Sequence, residues 1–441
     1  MKKPNILIII TDQQSGSAMS CVGNENVKTP GIDSIADNGV VFSKAYCTNP
    51  VCVPSRVSMF TGKMPHRAKI YSNVHKAKDL DKFRWLGKHL AENGYDCGYF
   101  GKWHLVIQRW RKWIHGFKKT YISWGKNRDE NTIPHVTKFL RKKREKPFFA
   151  VASFVNPHDI CQFARRQALP NGEIPEPPES DEFPELPSSF NVPENEPDTI
   201  REANQESWKR YPTKDWDKRD WREYLWGYYR LVELADKWIG KVMDSVRKYC
   251  DLENTVIIFV SDHGEGMASH HWNQKQVLYE TTTRVPFIIS QKGTTLHGKI
   301  NNTQLASTGL DLFPTICDFV GISPPKDLFG MSLKDVATGK RDKIERDFVM
   351  SETEFGGFVK WAGDHFGRAN GRMIRTEQFK YMVYSKGKIR EQLIDIDKDP
   401  GEMNNLATDP NYKEVLNRHR ELLEKWCKKT EDDFDYISSE I

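Results

Sequence analysis

The sequence has no long apolar run. Its longest runs, Ile6 to Ile10 among them, are five residues, far short of the roughly 20 that a membrane-spanning helix needs. It also lacks paired cysteines. The eight cysteines (21, 47, 52, 97, 161, 250, 317 and 427) contain no CxxC, which argues against a zinc cage and a disulfide framework. Most are expected to be small buried hydrophobes. A strong charge of one sign is missing as well. The net charge of +6 is mild for 441 residues, and no nucleic-acid-binding module accompanies it, so neither a nucleic acid nor a membrane is expected as partner. Basic runs do occur at Arg109-Trp110-Arg111-Lys112-Trp113 and Arg141-Lys142-Lys143-Arg144; the second reads as a solvated helix end. No secretory signal pattern is present, because Lys2 and Lys3 are followed by Asn5 and, past five apolar residues, by Thr11-Asp12. The expectation is a cytoplasmic chain, or a periplasmic one if the sequence is a trimmed mature form. No internal repeat is present, and the sequence does not set the oligomeric state.

What is present is an alternation of strand and helix patterns. A chain of 441 residues exceeds the size at which one core keeps growing, so a large and a small domain are expected, at 1–340 and 341–441. Apolar runs at 4–10, 148–155 and 255–260 read as buried strands of a parallel sheet, and 95–100 is a short strand candidate. Helical patterns fall at 31–38, 55–62, 82–93, 133–144 and 221–249. These define an α/β domain with a mixed, largely parallel sheet between helices. Residues 170–198, rich in proline and acid, read as an irregular excursion. Strand patterns at 347–353, 372–375, 379–384 and 391–396, then a helix at 411–428, predict a small C-terminal α+β domain with an antiparallel sheet.

Cys52 sits at the mouth of a predicted helix, where backbone N–H groups and the positive dipole end favour an anionic transition state. Arg56 follows one turn later on the same face. Strands 4–10 and 255–260 end in Asp12-Gln13 and Asp262-His263, and ligands gather at the carboxyl ends of strands in open α/β sheets. Their oxygen donors suit a hard cation, calcium or magnesium. Taken singly, a strand-end aspartate is more often a turn or cap residue; two such sites in register carry more weight.

The segment from Cys52 to Gly62 (Cys-Val-Pro-Ser-Arg-Val-Ser-Met-Phe-Thr-Gly) resembles the maturation signature of the sulfatase family, C-x-P-S-R followed by leucine-threonine-glycine, with Phe60 in place of the leucine. Gly101-Lys102-Trp103-His104 resembles the family's second signature, and Asn273 to Glu280 with Arg284-Val285-Pro286 resembles its lysine-bearing stretch. The segment from Gln392 to Leu406 is similar to the family's C-terminal motif. The resemblance implies an alkaline-phosphatase-like fold. It also implies that a dedicated maturation enzyme oxidises Cys52 to formylglycine, whose hydrate attacks the sulfur of a sulfate ester and then expels sulfate. It makes Asp12, Gln13, Asp262 and His263 the ligands of one calcium, Gln13 departing from the commoner aspartate. Lys102 and Lys275 would hold the sulfate, His104 would orient the nucleophile, and His158 would serve the leaving oxygen. A sulfated saccharide is the expected substrate, and a phosphonate monoester or phosphodiester is the alternative. A non-catalytic glycan-binding relative would be expected to lose Cys52, Arg56 or Lys102, and all are present. His270, His271 and Arg372, with Lys360, Trp361, His365 and Arg368, are candidate substrate contacts.

Overall fold

The computed structural model of the chain describes residues 3–74, 80–123, 125–179, 182–211, 213–355 and 369–434. Twelve strands appear in it, in two sheets. The first eight are β1 (Asn5–Asp12), β2 (Gly39–Tyr46), β3 (Asp96–Gly101), β4 (Lys119–Tyr121), β5 (Phe148–Pro157), β6 (Thr255–Ser261), β7 (Phe287–Ser290) and β8 (Lys299–Ser307). They form one sheet in the order β4-β3-β5-β1-β6-β7-β2-β8. Every pairing is parallel except those of β7, which runs against both β6 and β2.

The apolar run of β1 has a role on each face. Ile6, Ile8 and Ile10 join the core on one side, with the helices Cys52–Thr61 and Leu86–Glu92. Leu7 and Ile9 join the core on the other, with the helices Arg128–Leu140 and Lys218–Tyr249. This two-sided burial is why the strand shows no polar alternation. The 32-residue helix Lys218–Tyr249 begins at a reciprocal cap, in which the side chains of Asp217 and Asp220 each accept the other's backbone N–H.

The other four strands are β9 (Val349–Phe355), β10 (Ala369–Arg375), β11 (Phe379–Tyr384) and β12 (Glu391–Asp395), antiparallel in the order β12-β11-β10-β9. Alternate residues again divide. Ile374, Tyr381, Val383 and Leu393 pack on the helix Lys413–Thr430, while Met373, Met382 and Ile394 pack on Tyr46, Trp272 and Tyr279 of the larger body.

The architecture is the expected one, with local differences. β2, β4, β7 and β8 have no counterpart in the sequence reading. β8 begins Lys-Ile-Asn-Asn with three of those side chains exposed, so its outer half carries no apolar signal. The helix expected at 82–93 is confined to Leu86–Glu92, and the one expected at 133–144 spans Arg128–Leu140. In the second case Pro134 suggests a helix start but lies inside the helix. Among the described residues no helix is long and apolar enough to cross a membrane.

Candidate active site

Sheet order assembles the site. β3, β5, β1 and β6 are consecutive neighbours and all parallel, so their carboxyl ends lie side by side. Each end delivers polar groups: Lys102 after β3, His158 after β5, Asp12 and Gln13 from β1, and Asp262 and His263 after β6. Thr11 pairs with Ser261, which sets the two aspartates in register. Cys52 comes from the opposite direction, as the first residue of a helix whose ten residues are all buried and which closes at Gly62 with φ of 66°.

Ligand atoms of Asp12, Cys52, Asp262 and His263 all lie within 4.8 Å of one another, and all four residues are fully buried. The Cys52 thiol is 3.2 Å from His263 Nε2 and 3.7 Å from Asp12 Oδ1, and Lys275 Nζ lies 3.3 Å from its sulfur. His263 donates its Nδ1–H to the Gly264 carbonyl at 2.8 Å, so in the neutral ring Nε2 keeps its lone pair toward the cluster. Arg56 bridges the carboxylates, with Nε 2.6 Å from Asp262 and Nη2 3.2 Å from Asp12. A third contact of Arg56, Nη1 to Ser153 Oγ at 2.9 Å, holds the guanidinium against β5. Lys102 Nζ reaches Asp12 Oδ2 at 2.5 Å, and His158 Nε2 stands 3.9 Å from Asp12 Oδ1. His104 hydrogen-bonds Cys52, and its Nδ1 is buried without a partner.

The electrostatics match this geometry. Burial opposes ionisation of the Cys52 thiol, yet Lys275, Lys102 and His263 outweigh it and hold the group well below its ordinary value. The position of the sulfur is thus one where negative charge is stabilised. Burial and the neighbouring Asp12 push Asp262 up to about 6. Burial and the Cys52 sulfur oppose ionisation of Asp12, yet Lys102, His158 and Arg56 outweigh them and hold it well below its ordinary value. The buried set thus keeps at least one carboxylate charged, which fits a cation-binding role.

Gln13 has a defined orientation. Its Nε2 donates to Glu265 Oε2 at 2.5 Å, and its Oε1 accepts from Lys275 Nζ at 2.9 Å. Glu265 can only accept and the ammonium of Lys275 can only donate, so the amide has one arrangement that satisfies both. Glu265, itself fully buried, is fixed by Tyr224 Oη at 2.5 Å and the Gln274 backbone N–H at 2.6 Å. The residues flanking Lys275, Gln274 and Gln276, have φ of 83° and 89°, and Gln13 has φ of 72°. Left-handed backbone of this kind in residues other than glycine is costly and clusters at working sites.

Two expected contacts are corrected by the structure. His270 is 2% exposed, with Nε2 2.9 Å from the Gly401 carbonyl, and burial pushes it down to about 4, leaving it neutral at pH 7. Arg372 is buried with Nε and Nη2 on the two oxygens of Asp432, at 2.7 and 2.8 Å. Each locks a loop or terminus in place and has no free surface to offer a substrate. Lys360, Trp361, His365 and Arg368 lie outside the described residues. Sequence reasoning missed Glu265, Tyr224 and Ser153. Glu265 was within sight, three residues after Asp262, but only the fold shows that it points at Gln13.

A thiol at a buried helix start, a carboxylate–amide–imidazole set beneath it and a ring of cations around it define a hydrolase of anionic esters. Comparison with known proteins names the family. The chain belongs to the sulfatase family: the sulfatase profile matches residues 4–322, and the profile for the C-terminal part of N-sulphoglucosamine sulphohydrolase matches residues 268–429. It is 31% identical to a Δ4,5-hexuronate-2-O-sulfatase of Bacteroides thetaiotaomicron, over 98% of this chain and 90% of that one. An arylsulfatase of Clostridium perfringens is 27% identical over 98% and 96%. A solved 2-O GAG sulfatase, 30% identical, superposes with a TM-score of 0.86 over 100% of this chain and 94% of that one.

Proposed function

We propose that this sulfatase removes sulfate from a sulfated saccharide, with a 2-O-sulfated uronate as the first candidate, and that Cys52 is the residue matured to formylglycine. The observation that carries the reading is the placement of Cys52 Sγ, 3.3 Å from Lys275 Nζ and 3.2 Å from His263 Nε2, where a developing anion is stabilised. The similarity to a hexuronate-2-O-sulfatase and a 2-O GAG sulfatase supports the choice of sugar.

Asp12, Asp262, His263 and the Oε1 of Gln13 would hold a divalent cation, and their mostly hard donors fit calcium, with magnesium as the alternative. Once bound, that cation would polarise a sulfate oxygen. The matured residue 52 would supply a hydroxyl nucleophile in place of the thiol, and a second hydroxyl through which sulfate is released. The chain's own groups do the rest. Lys102 and Lys275 oppose the charge that builds on the sulfuryl oxygens. Arg56 fixes both aspartates and the start of the helix at once. His104 holds the group at position 52 in orientation. His158, whose side chain is 26% exposed, stands on the accessible side of Asp12 and can give a proton to the leaving oxygen.

The test is sulfate release from a panel of 2-O-, 4-O-, 6-O- and N-sulfated disaccharides, using protein shown by mass spectrometry to be modified at position 52. Release that is lost in Cys52→Ala and on chelation supports the reading. Turnover of phosphonate monoesters in place of every sulfate would overturn it.

A further inference from the structure

Strand β4 is an edge of the large sheet, and an open cleft of about 630 Å³ lies against it. Its walls carry Lys112, Lys118, Lys119, Lys138 and Lys142, all exposed. Between them lies an aromatic surface of Phe100, Phe139 and Tyr121, the last stacked on His135 with centroids 3.4 Å apart and planes at 11°. A single carboxylate, Asp96, lines the cleft, and it is already engaged by Arg144 Nε at 3.2 Å and Lys142 Nζ at 3.8 Å. Among the described residues, Lys112, Lys118, Lys119 and Lys138 form no ion pair. Positive charge gathered this closely without counter-charge repels itself, and an anionic ligand relieves that.

A second observation points to the kind of anion. Trp110 and Trp113, at 65% and 67% exposure, are the most exposed large hydrophobic side chains among the described residues. They flank Lys112, which also lines the cleft. Bare indoles are a liability unless something covers them, and their flat faces suit the C–H face of a sugar ring. The same connection between β3 and β4 carries Lys102 and His104 at its start. Trp110 is six positions on from His104, a reach of at most about 22 Å and so of a few sugar rings.

We propose that the cleft and the two indoles form a second binding site for a sulfated oligosaccharide. This site holds outlying sulfates of a chain whose reacting sulfate lies at Cys52. The inference rests on the saccharide reading of the substrate. It makes the protein selective for chains over single sulfated sugars, by lowering KM rather than raising kcat.

The test measures binding and turnover separately. Binding of a heparin hexasaccharide, its unsulfated counterpart and a single-stranded oligonucleotide of equal charge is measured calorimetrically on Cys52→Ala protein. The same is done with Lys118→Ala/Lys119→Ala and Trp110→Ala/Trp113→Ala added. The expected result is hexasaccharide binding weakened about tenfold or more by each pair, since each removes two direct contacts, with thermal midpoints unchanged. On matured enzyme, kcat/KM for a sulfated disaccharide should stay as it was. Hexasaccharide binding that ignores both pairs overturns the proposal, as does an oligonucleotide that binds more tightly than the hexasaccharide. If no disaccharide is turned over while hexasaccharide binding still depends on the cleft, the site stands and the saccharide reading at Cys52 falls.

Discussion

Replacing Glu265 by glutamine should weaken cation binding without unfolding the protein. Glu265 touches none of the proposed cation's carboxylate ligands; it acts through Gln13, whose Nε2 it accepts at 2.5 Å. With a carboxylate there, Gln13 Oε1 is committed to the side of Lys275 and Cys52. With an amide there, whose oxygen Tyr224 and the Gln274 N–H would claim, the new NH2 would meet Gln13 Nε2 donor to donor. The opposite rotation of Gln13 would turn Nε2 toward Lys275 and the cation, so neither rotation is satisfied. The charge-assisted bond that is lost corresponds to roughly 1.5–3 kcal/mol. Support residues of metal ligands cost about 10- to 100-fold in affinity when changed, which is about 1.4–2.7 kcal/mol, so the two estimates agree. Calcium titration calorimetry on Cys52→Ala protein reads the effect with no need for maturation or turnover. Gln13→Asp should restore affinity in the Glu265→Gln background, because both oxygens of a carboxylate can face a cation. Alone, it should not raise affinity, because it sets a second carboxylate against Glu265. Calcium affinity of Glu265→Gln within twofold of the parent would refute the assigned orientation of Gln13.

Three further outcomes are expected. Lys275→Ala should reduce kcat by roughly 10²- to 10³-fold on the matured enzyme, the usual loss when one donor to a developing anion is removed, read from initial rates of sulfate release. Chelation should lower the thermal midpoint of Cys52→Ala protein, since Asp12 and Asp262 then repel at full burial, and Asp12→Asn should abolish that response. The buried cluster of His66, Glu352 and Asp432 joins the helix Pro65–Ala68 to the small sheet, with His66 Nδ1 at 2.9 Å from Glu352. Burial opposes protonation of His66, but Glu352 and Asp432 outweigh it and raise its pKa. A folded-state value above the unfolded one gives stability that is complete below about pH 6.5 and is lost as pH rises through the raised value. Thermal midpoints should therefore fall from about pH 6 to pH 9 more steeply in the parent than in His66→Gln.

What the sequence made legible depended on how local the signal was. β1 and β6 are unbroken apolar runs because both their faces are covered, so their ends, and Asp12 and Asp262 with them, could be read directly. Cys52 and Arg56 were readable because the contiguous segment from Cys52 to Gly62 resembles the sulfatase signature, with one helical turn relating the two. β2, next to the edge strand β8, gave no such signal: its Ser43 and Lys44 are only half buried and interrupt the run. His270 and Arg372 misled because basic residues near a motif look like substrate contacts. Their partners, Gly401 and Asp432, lie 131 and 60 residues away and no local pattern announces them. Glu265 was hidden for the same reason, its effect passing through a side chain 252 residues distant.

The neutral residue at position 13 also bears on how the site divides its charge. Beneath Cys52 the carboxylates are Asp12 and Asp262, and a divalent cation would balance both. That would leave Arg56, Lys102 and Lys275 to face an anion, although in the structure Arg56 and Lys102 are held on the two aspartates. An aspartate in place of Gln13 would set a second carboxylate against Glu265 and would also bind Lys275, whose Nζ now rests 2.9 Å from an uncharged oxygen. A hydrogen bond to an amide is easier to exchange than an ion pair, so in the proposed mechanism Lys275 would stay available to the sulfuryl group. The negative charge removed from position 13 is not lost from the neighbourhood. It sits one side chain further out on Glu265, where it orients the amide without competing for Lys275. Gln13 and Glu265 are therefore best understood as a pair, which separates the task of aiming a donor at the cation from the task of supplying charge.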